Sequence, residues 1–233
     1  MNYIITSNSA FPMAEITLAQ GENIKICRGG MVYHRGDVTL EGKLNTADGK
    51  GGVGGAIKAM ARSTVSGESM WITHVTANTS DAKITIAPPV PGCIKELQIG
   101  GNVQWRLSDG VFLACDASVA WTMQRQSLGK AVFGTGGLFV METQGQGTLL
   151  IDSFGDLIEI QLDGSKPLVA DNAHVVAWTT SLQYKIGFAS GIFGVKTGEG
   201  IVNTFNGVGS VLIQTKNLQS LAGALARYSS TNS

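Results

Sequence analysis

The chain has 233 residues, 43% of them hydrophobic and only 15% charged, so it can bury a real core and intrinsic disorder is excluded. Its 17 Lys and Arg balance its 17 Asp and Glu. A net charge of zero argues against non-specific nucleic-acid binding and against polybasic attachment to membranes, since both need a positive field.

The first eighteen residues contain Asn2, Ser7, Asn8, Pro12 and Glu15, with no basic stretch and no long apolar run. No signal peptide, transit peptide or transmembrane segment is expected, which reads as a cytoplasmic chain. Short strand-like runs follow at Ile24-Lys25-Ile26, Met31-Val32-Tyr33 and Val38-Thr39-Leu40, then at Ile84-Thr85-Ile86 and from Ile94 to Ile99. They are rich in β-branched and aromatic residues. Gly21, Gly100-Gly101, Asp109-Gly110, Asp163-Gly164 and Gly207 punctuate them as turns. There are 31 glycines and 5 prolines, a balance that suits tight turns and bulges rather than a low-complexity linker. Two stretches look helical: residues 56–62, and residues 218–227 with Leu218, Leu221 and Leu225 on one face.

The strongest signal is an internal repeat. Gly92 to Gly101 reads GCIKELQIGG and Gly155 to Gly164 reads GDLIEIQLDG, an offset of 63 residues (155 − 92) that holds without a gap through Ala114 and Ala177. A second echo, FVMETQGQGTLLI from Phe139 and IVNTFNGVGSVLI from Ile201, lies at an offset of 62 (201 − 139). A fainter first copy sets Gly21-Glu22-Asn23-Ile24 and Gly30-Met31-Val32-Tyr33 against Gly100-Gly101-Asn102-Val103 and Gly110-Val111-Phe112-Leu113. One element thus recurs near 18–33, 97–113 and 160–176, and a second near 70–86, 139–151 and 201–213. The expectation is an all-β chain of three units, approximately 1–65, 66–130 and 131–233, built as a triplicated β-sandwich or double-stranded β-helix-like fold. Strands are expected to be exchanged between neighbouring units.

The sequence resembles the altered inheritance of mitochondria protein 24 family, found in bacteria and fungi. The resemblance rests on Leu18, Gly21-Glu22 and Gly30-Met31-Val32-Tyr33, and on Ser66-Gly67-Glu68-Ser69. It continues through Pro91-Gly92, Ile94, Phe112-Leu113-Ala114, Gly136-Gly137-Leu138-Phe139, Gly145 and Gly147, His174-Val175-Val176-Ala177, and Gly207, Gly209 and Val211. It covers nearly the whole chain. It implies units with a fold like the trp RNA-binding attenuation protein, and it brings no established activity and no catalytic residues. Mitochondrial members act in inner-membrane organisation, but the targeting segment they carry is not found here, so the reading is of a bacterial, cytoplasmic chain.

Motifs that suggest chemistry fail on inspection. Gly49-Lys50-Gly51-Gly52-Val53-Gly54-Gly55-Ala56 has the context of a phosphate loop, but Gly55 and Ala56 stand where the Lys and the magnesium-binding hydroxyl belong. The expectation is no nucleotide, with anion binding by backbone amides left open. His34, His74 and His174 are isolated, with no His-x-His pair for a cupin-type metal site. Gly-x-Ser-x-Gly is absent, and Glu68 reads as a turn or cap residue. Cys27, Cys93 and Cys115 are an odd number without a CxxC pair, so free thiols are expected. Trp71 and Trp105 lie in apolar runs and read as core, whereas Trp121 and Trp178 read as bordering an interface. RNA stacking on them is disfavoured by the sparse Lys and Arg. No catalytic, cofactor-binding or metal residue is assigned, and no cofactor.

The function expected is that of a non-enzymatic, self-associating structural or interaction module, a homo-oligomer with a trimer favoured. The alternative is a small-ligand or nucleic-acid binding protein using clefts between the repeats.

Overall fold

The computed structural model describes residues 1–6, 10–45, 70–126, 138–192 and 200–229. Of these described residues 66% are strand, as the period-two patterning predicts. The strands run in chain order as β1 (Asn2–Ile5), β2 (Ala14–Leu18), β3 (Asn23–Cys27), β4 (Met31–Arg35), β5 (Val38–Asn45), β6 (Met70–Ala77), β7 (Ala82–Ile86), β8 (Gly92–Ile99), β9 (Trp105–Ser108) and β10 (Phe112–Asp116). They continue as β11 (Val119–Gln126), β12 (Leu138–Gly145), β13 (Gly147–Phe154), β14 (Leu157–Asp163), β15 (Leu168–Asp171), β16 (Val175–Thr179), β17 (Gln183–Ile192), β18 (Ile201–Asn206) and β19 (Val208–Gln214). A 3₁₀ turn, Asn172–His174, precedes β16, and α1 (Leu218–Ser229) follows β19.

Four sheets form: β1-β2-β7-β4, then β5-β6-β3-β10-β13-β8, then β11-β12-β9-β16-β19-β14, and last β15-β18-β17. Every pairing between strands is antiparallel, so short turns suffice as connections. Adding six to each strand number of the second sheet gives the third sheet in the same order. The trios β2-β7-β4, β8-β13-β10 and β14-β19-β16 are equivalent, and so are β5-β6-β3, β11-β12-β9 and β17-β18-β15. Each of the first three trios carries a bulge at the same place, at Met31/Tyr33, Phe112/Ala114 and Val175/Ala177. The period of six strands frames the chain as Ala14–Ile86, Gly92–Phe154 and Leu157–Gln214. Each six-stranded sheet joins one half of a unit to one half of the next.

Three apolar cores lie between these sheets. Ile16, Ile84 and Ile86 of the first sheet meet Ile24, Val75 and Leu150 of the second. Leu97, Phe112 and Leu149 of the second meet Trp105, Trp121 and Leu212 of the third. Val140, Trp178 and Val211 of the third meet Phe205 of the fourth. The four sheets therefore stack in sequence. The two inner sheets bury both faces, which is why β10 and β13 read as unbroken apolar runs, Phe112-Leu113-Ala114-Cys115 and Leu149-Leu150-Ile151, instead of alternating. Successive residues send their side chains into different cores: Leu149 into one, Leu150 into the other.

Units meet where Gly92 and Gly155 form a parallel bridge. A Cβ on Gly92 would stand 1.7 Å from the Ser153 carbonyl oxygen, so only glycine allows the approach. Two expectations about tryptophan are corrected. Trp71 is exposed, because it lies on the face of β6 that carries Val75 and Ala77 but beyond the end of that core. Trp121 and Trp178 are buried inside the inter-sheet cores, Trp121 against Phe112 and Trp178 against Tyr184 and Phe205.

Candidate functional site

The repeat makes the two ends of the stack unlike its middle. In the second sheet β3 pairs with β10, with Lys25 opposite Cys115, and in the third β9 pairs with β16, with Arg106 opposite Trp178. By the same rule β15 would pair with a copy of β4. It does not: β15 and β4 are the outer strands of separate sheets. Their side chains show the consequence. Val32 is 50% exposed, while Leu113 and Val176, its equivalents in β10 and β16, are 0% exposed. All five residues of β4 are exposed.

A second feature of the inner junctions points the same way. Lys25 Nζ lies 5.1 Å from the Trp121 ring and donates to the Val119 carbonyl, and Arg106 lies 5.3 Å from the Tyr184 ring and donates to the carbonyls of Thr180 and Leu182. Each cation reaches from one unit over an aromatic ring of the next. The residues at the equivalent positions of the open ends are Val169 on β15 and Leu40 on β5, 58% and 39% exposed. A cationic and an aromatic partner inside the chain are thus replaced at its ends by two bare aliphatic side chains.

A cavity lies at a unit junction. It measures about 250 Å³ and is lined by Pro89, Val111, Asp152, Phe154, Asn217 and Leu218, among others. Asp152 is only 3% exposed, and burial pushes its carboxyl up to about 7. Beside the cavity, His174 Nδ1 donates to the Gln214 carbonyl at 2.7 Å. That fixes the tautomer, so Nε2 accepts from Asn217 Nδ2 at 2.8 Å. The Asn217 side-chain oxygen in turn caps α1 by accepting from Ser220 N at 2.8 Å.

The residues singled out in the sequence do not converge. The Gly49–Gly55 loop, the 56–62 helix and Glu68 lie outside the described residues. His34 is on the first sheet, His74 on the second, and His174 sits before β16 of the third. Desolvation, with Lys43 and Lys25 nearby, holds His74 below the ordinary histidine range. Among the described residues no group of three His, Cys, Asp or Glu could hold a metal ion. Cys27, Cys93 and Cys115 are all free, and burial pushes Cys27 up to about 11 and Cys115 to about 12, which leaves both thiols unreactive. The leucine stripe of α1 is exposed. Sequence reasoning missed Asp152; its signal was an acid inside the apolar run LLIDSF, where β19 has LIQT. Among the described residues no helix is long and apolar enough to cross a membrane.

Comparison with known proteins agrees on one family. A family model described as mitochondrial biogenesis AIM24 matches residues 3–216. An uncharacterised protein of Streptococcus pyogenes serotype M6 is 48% identical over 236 residues, which cover 100% of this chain and 93% of that protein. The crystal structure of a Streptococcus pyogenes protein superposes with a TM-score of 0.80 at 45% identity, covering 97% of this chain and 99% of the other.

Proposed function

The chain belongs to the AIM24 family, and we propose that it works as a non-enzymatic structural module that self-associates head to tail. One observation carries the reading: the chain ends in two complementary half-sheets, β4-β7-β2 and β17-β18-β15, which its own interior twice joins into six-stranded sheets. Joining β15 of one copy to β4 of the next repeats that geometry. The inner pairs give the register, Tyr33 opposite Ala170 and His34 opposite Val169. The contact buries Val32 against the last core of the neighbour and sets Val169 against Leu40.

An unpaired strand edge with exposed apolar residues is a template for another chain. Because the two surfaces differ, the contact is heterologous, and it closes as a ring once the rotation per chain divides a full turn. A trimer is the number favoured. Such an assembly acts by presenting repeated surfaces to partners, and the exposed leucine stripe of α1 is one of them.

Light scattering at micromolar concentration tests the reading. The expected particle holds two or more chains, and Val32→Asp or Val169→Asp, each at one end only, reduces it to single chains. A monodisperse monomer of the unmodified protein overturns it.

A further inference from the structure

Strand equivalence shows why the Asp152 carboxyl has only a backbone partner. Ile86, Ile151 and Ile213 lie opposite Met31, Phe112 and Val175 in the three bulged pairs. The next residues, Ala87, Asp152 and Gln214, are therefore equivalent. Gln214 is fully used: its Oε1 accepts from Phe154 N at 2.9 Å and its Nε2 donates to the Ala173 carbonyl at 3.0 Å. Carried back one unit, the donor Phe154 becomes Pro89, which has no N–H to give. The acceptor Ala173 becomes Gly110, whose carbonyl cannot serve an ionised carboxylate. The Asp152 carboxyl is left with its own backbone amide as the hydrogen bond that favours its charged form.

Both Pro89 and Gly110 line the cavity that Asp152 lines. A second acid, Asp109, lines it too, and among the described residues no Lys, Arg or His does. The rest of its wall is largely apolar, from Val90, Val111, Phe154 and Leu218.

We infer that this cavity is a binding site for a small primary ammonium ion with an apolar body, held by the Asp152 carboxylate. An ammonium group supplies the N–H donors that Pro89 withholds and the charge that two carboxylates call for. The apolar wall takes the alkyl part. The small volume restricts the ligand to a few carbons. A metal ion is disfavoured because the described residues offer it no third ligand. Among the described residues the charged and titratable groups near Asp152 are Asp109, from the turn before β10, Cys27, whose thiol feels the Asp152 charge, and His174, which sits beside the cavity on Gln214 and Asn217. Burial keeps Asp152 protonated below about 7, so binding strengthens above that pH.

Calorimetric titration of the full chain with n-butylammonium chloride at about pH 8.5, above the Asp152 transition, tests the site. Saturable one-to-one binding is expected, with none for n-butanol or butyrate. Asp152→Asn is expected to weaken it about tenfold or more. Pro89→Ala restores the missing N–H as a competitor for the carboxylate and is expected to weaken it as well, while both variants keep a cooperative thermal transition. Absent saturation, equal binding by Asp152→Asn, or binding of butyrate in place of butylammonium each overturns the proposal.

Discussion

Strands β10 and β4 occupy the same place in the repeat, and their surroundings are opposite. β10 lies between two cores and pairs on both sides, with β13 and β3. Among the described residues β4 pairs only with β7, and it faces outward. Their sequences follow: Phe112-Leu113-Ala114-Cys115-Asp116 against Met31-Val32-Tyr33-His34-Arg35. The outer copy keeps the bulge and the apolar first half, and becomes polar where Cys115 gives way to His34. A repeat unit is thus not tuned to its own stability alone; each strand carries the chemistry of what covers it, and β4 retains the apolar Met31 and Val32 in exposed positions.

The largest expected difference contrasts equivalent residues. Leu113→Ala removes a side chain 0% exposed between two sheets and costs about 3 kcal/mol in urea unfolding. Val32→Ala, measured in chains held monomeric by Val169→Asp, costs less than about 0.5 kcal/mol. Similar losses at both positions would remove the contrast.

Asp152 gives a comparable effect through pH. An unfolded aspartate titrates near 4 and the folded one at about 7. Between those values the native state holds a proton that the unfolded state has released, so stability falls as pH rises from about 4 to about 7, by up to about 4 kcal/mol, and then levels off. In Asp152→Asn this slope disappears while the rest of the pH profile is unchanged. Its counterpart Gln214 has no charge, so Gln214→Ala leaves the slope in place.

Smaller effects belong to the periphery. Asn217→Ala deletes the α1 cap and costs about 1 kcal/mol, read as faster amide exchange confined to α1. Lys95→Met breaks the Lys95–Glu159 pair between β8 and β14, a surface contact worth about 0.5 kcal/mol or less, and added salt erases the difference.

The sequence shows the middle of the molecule better than its ends. Gly92 and Gly155 with the runs that follow them announce equivalent strands, because both copies have the same neighbours and need the same residues. The first copy is faint for a physical reason: among the described residues no sheet lies against one side of β4, so the exposed Tyr33 and His34 stand where Ala114 and Cys115 are buried in the second copy. The tryptophans misled because period-two patterning tells inside from outside only for a sheet with one buried face. Trp121 and Trp178 sit in sheets that bury both, and Trp71 sits past the end of a core. Asp152 was passed over because a single acid acquires meaning only beside Gln214 and Pro89, a comparison that needs the register of the bulged pairs.

The central claim is that β15 of one copy pairs with β4 of the next in the register of the inner junctions. His34→Cys combined with Val169→Cys places two thiols directly opposite across that contact. Under mild oxidation the account predicts covalent multimers on a non-reducing gel, with none when His34→Cys is combined with a cysteine at Leu168, one position off register and on the opposite face. A double variant that oxidises only within single chains, or not at all, contradicts it.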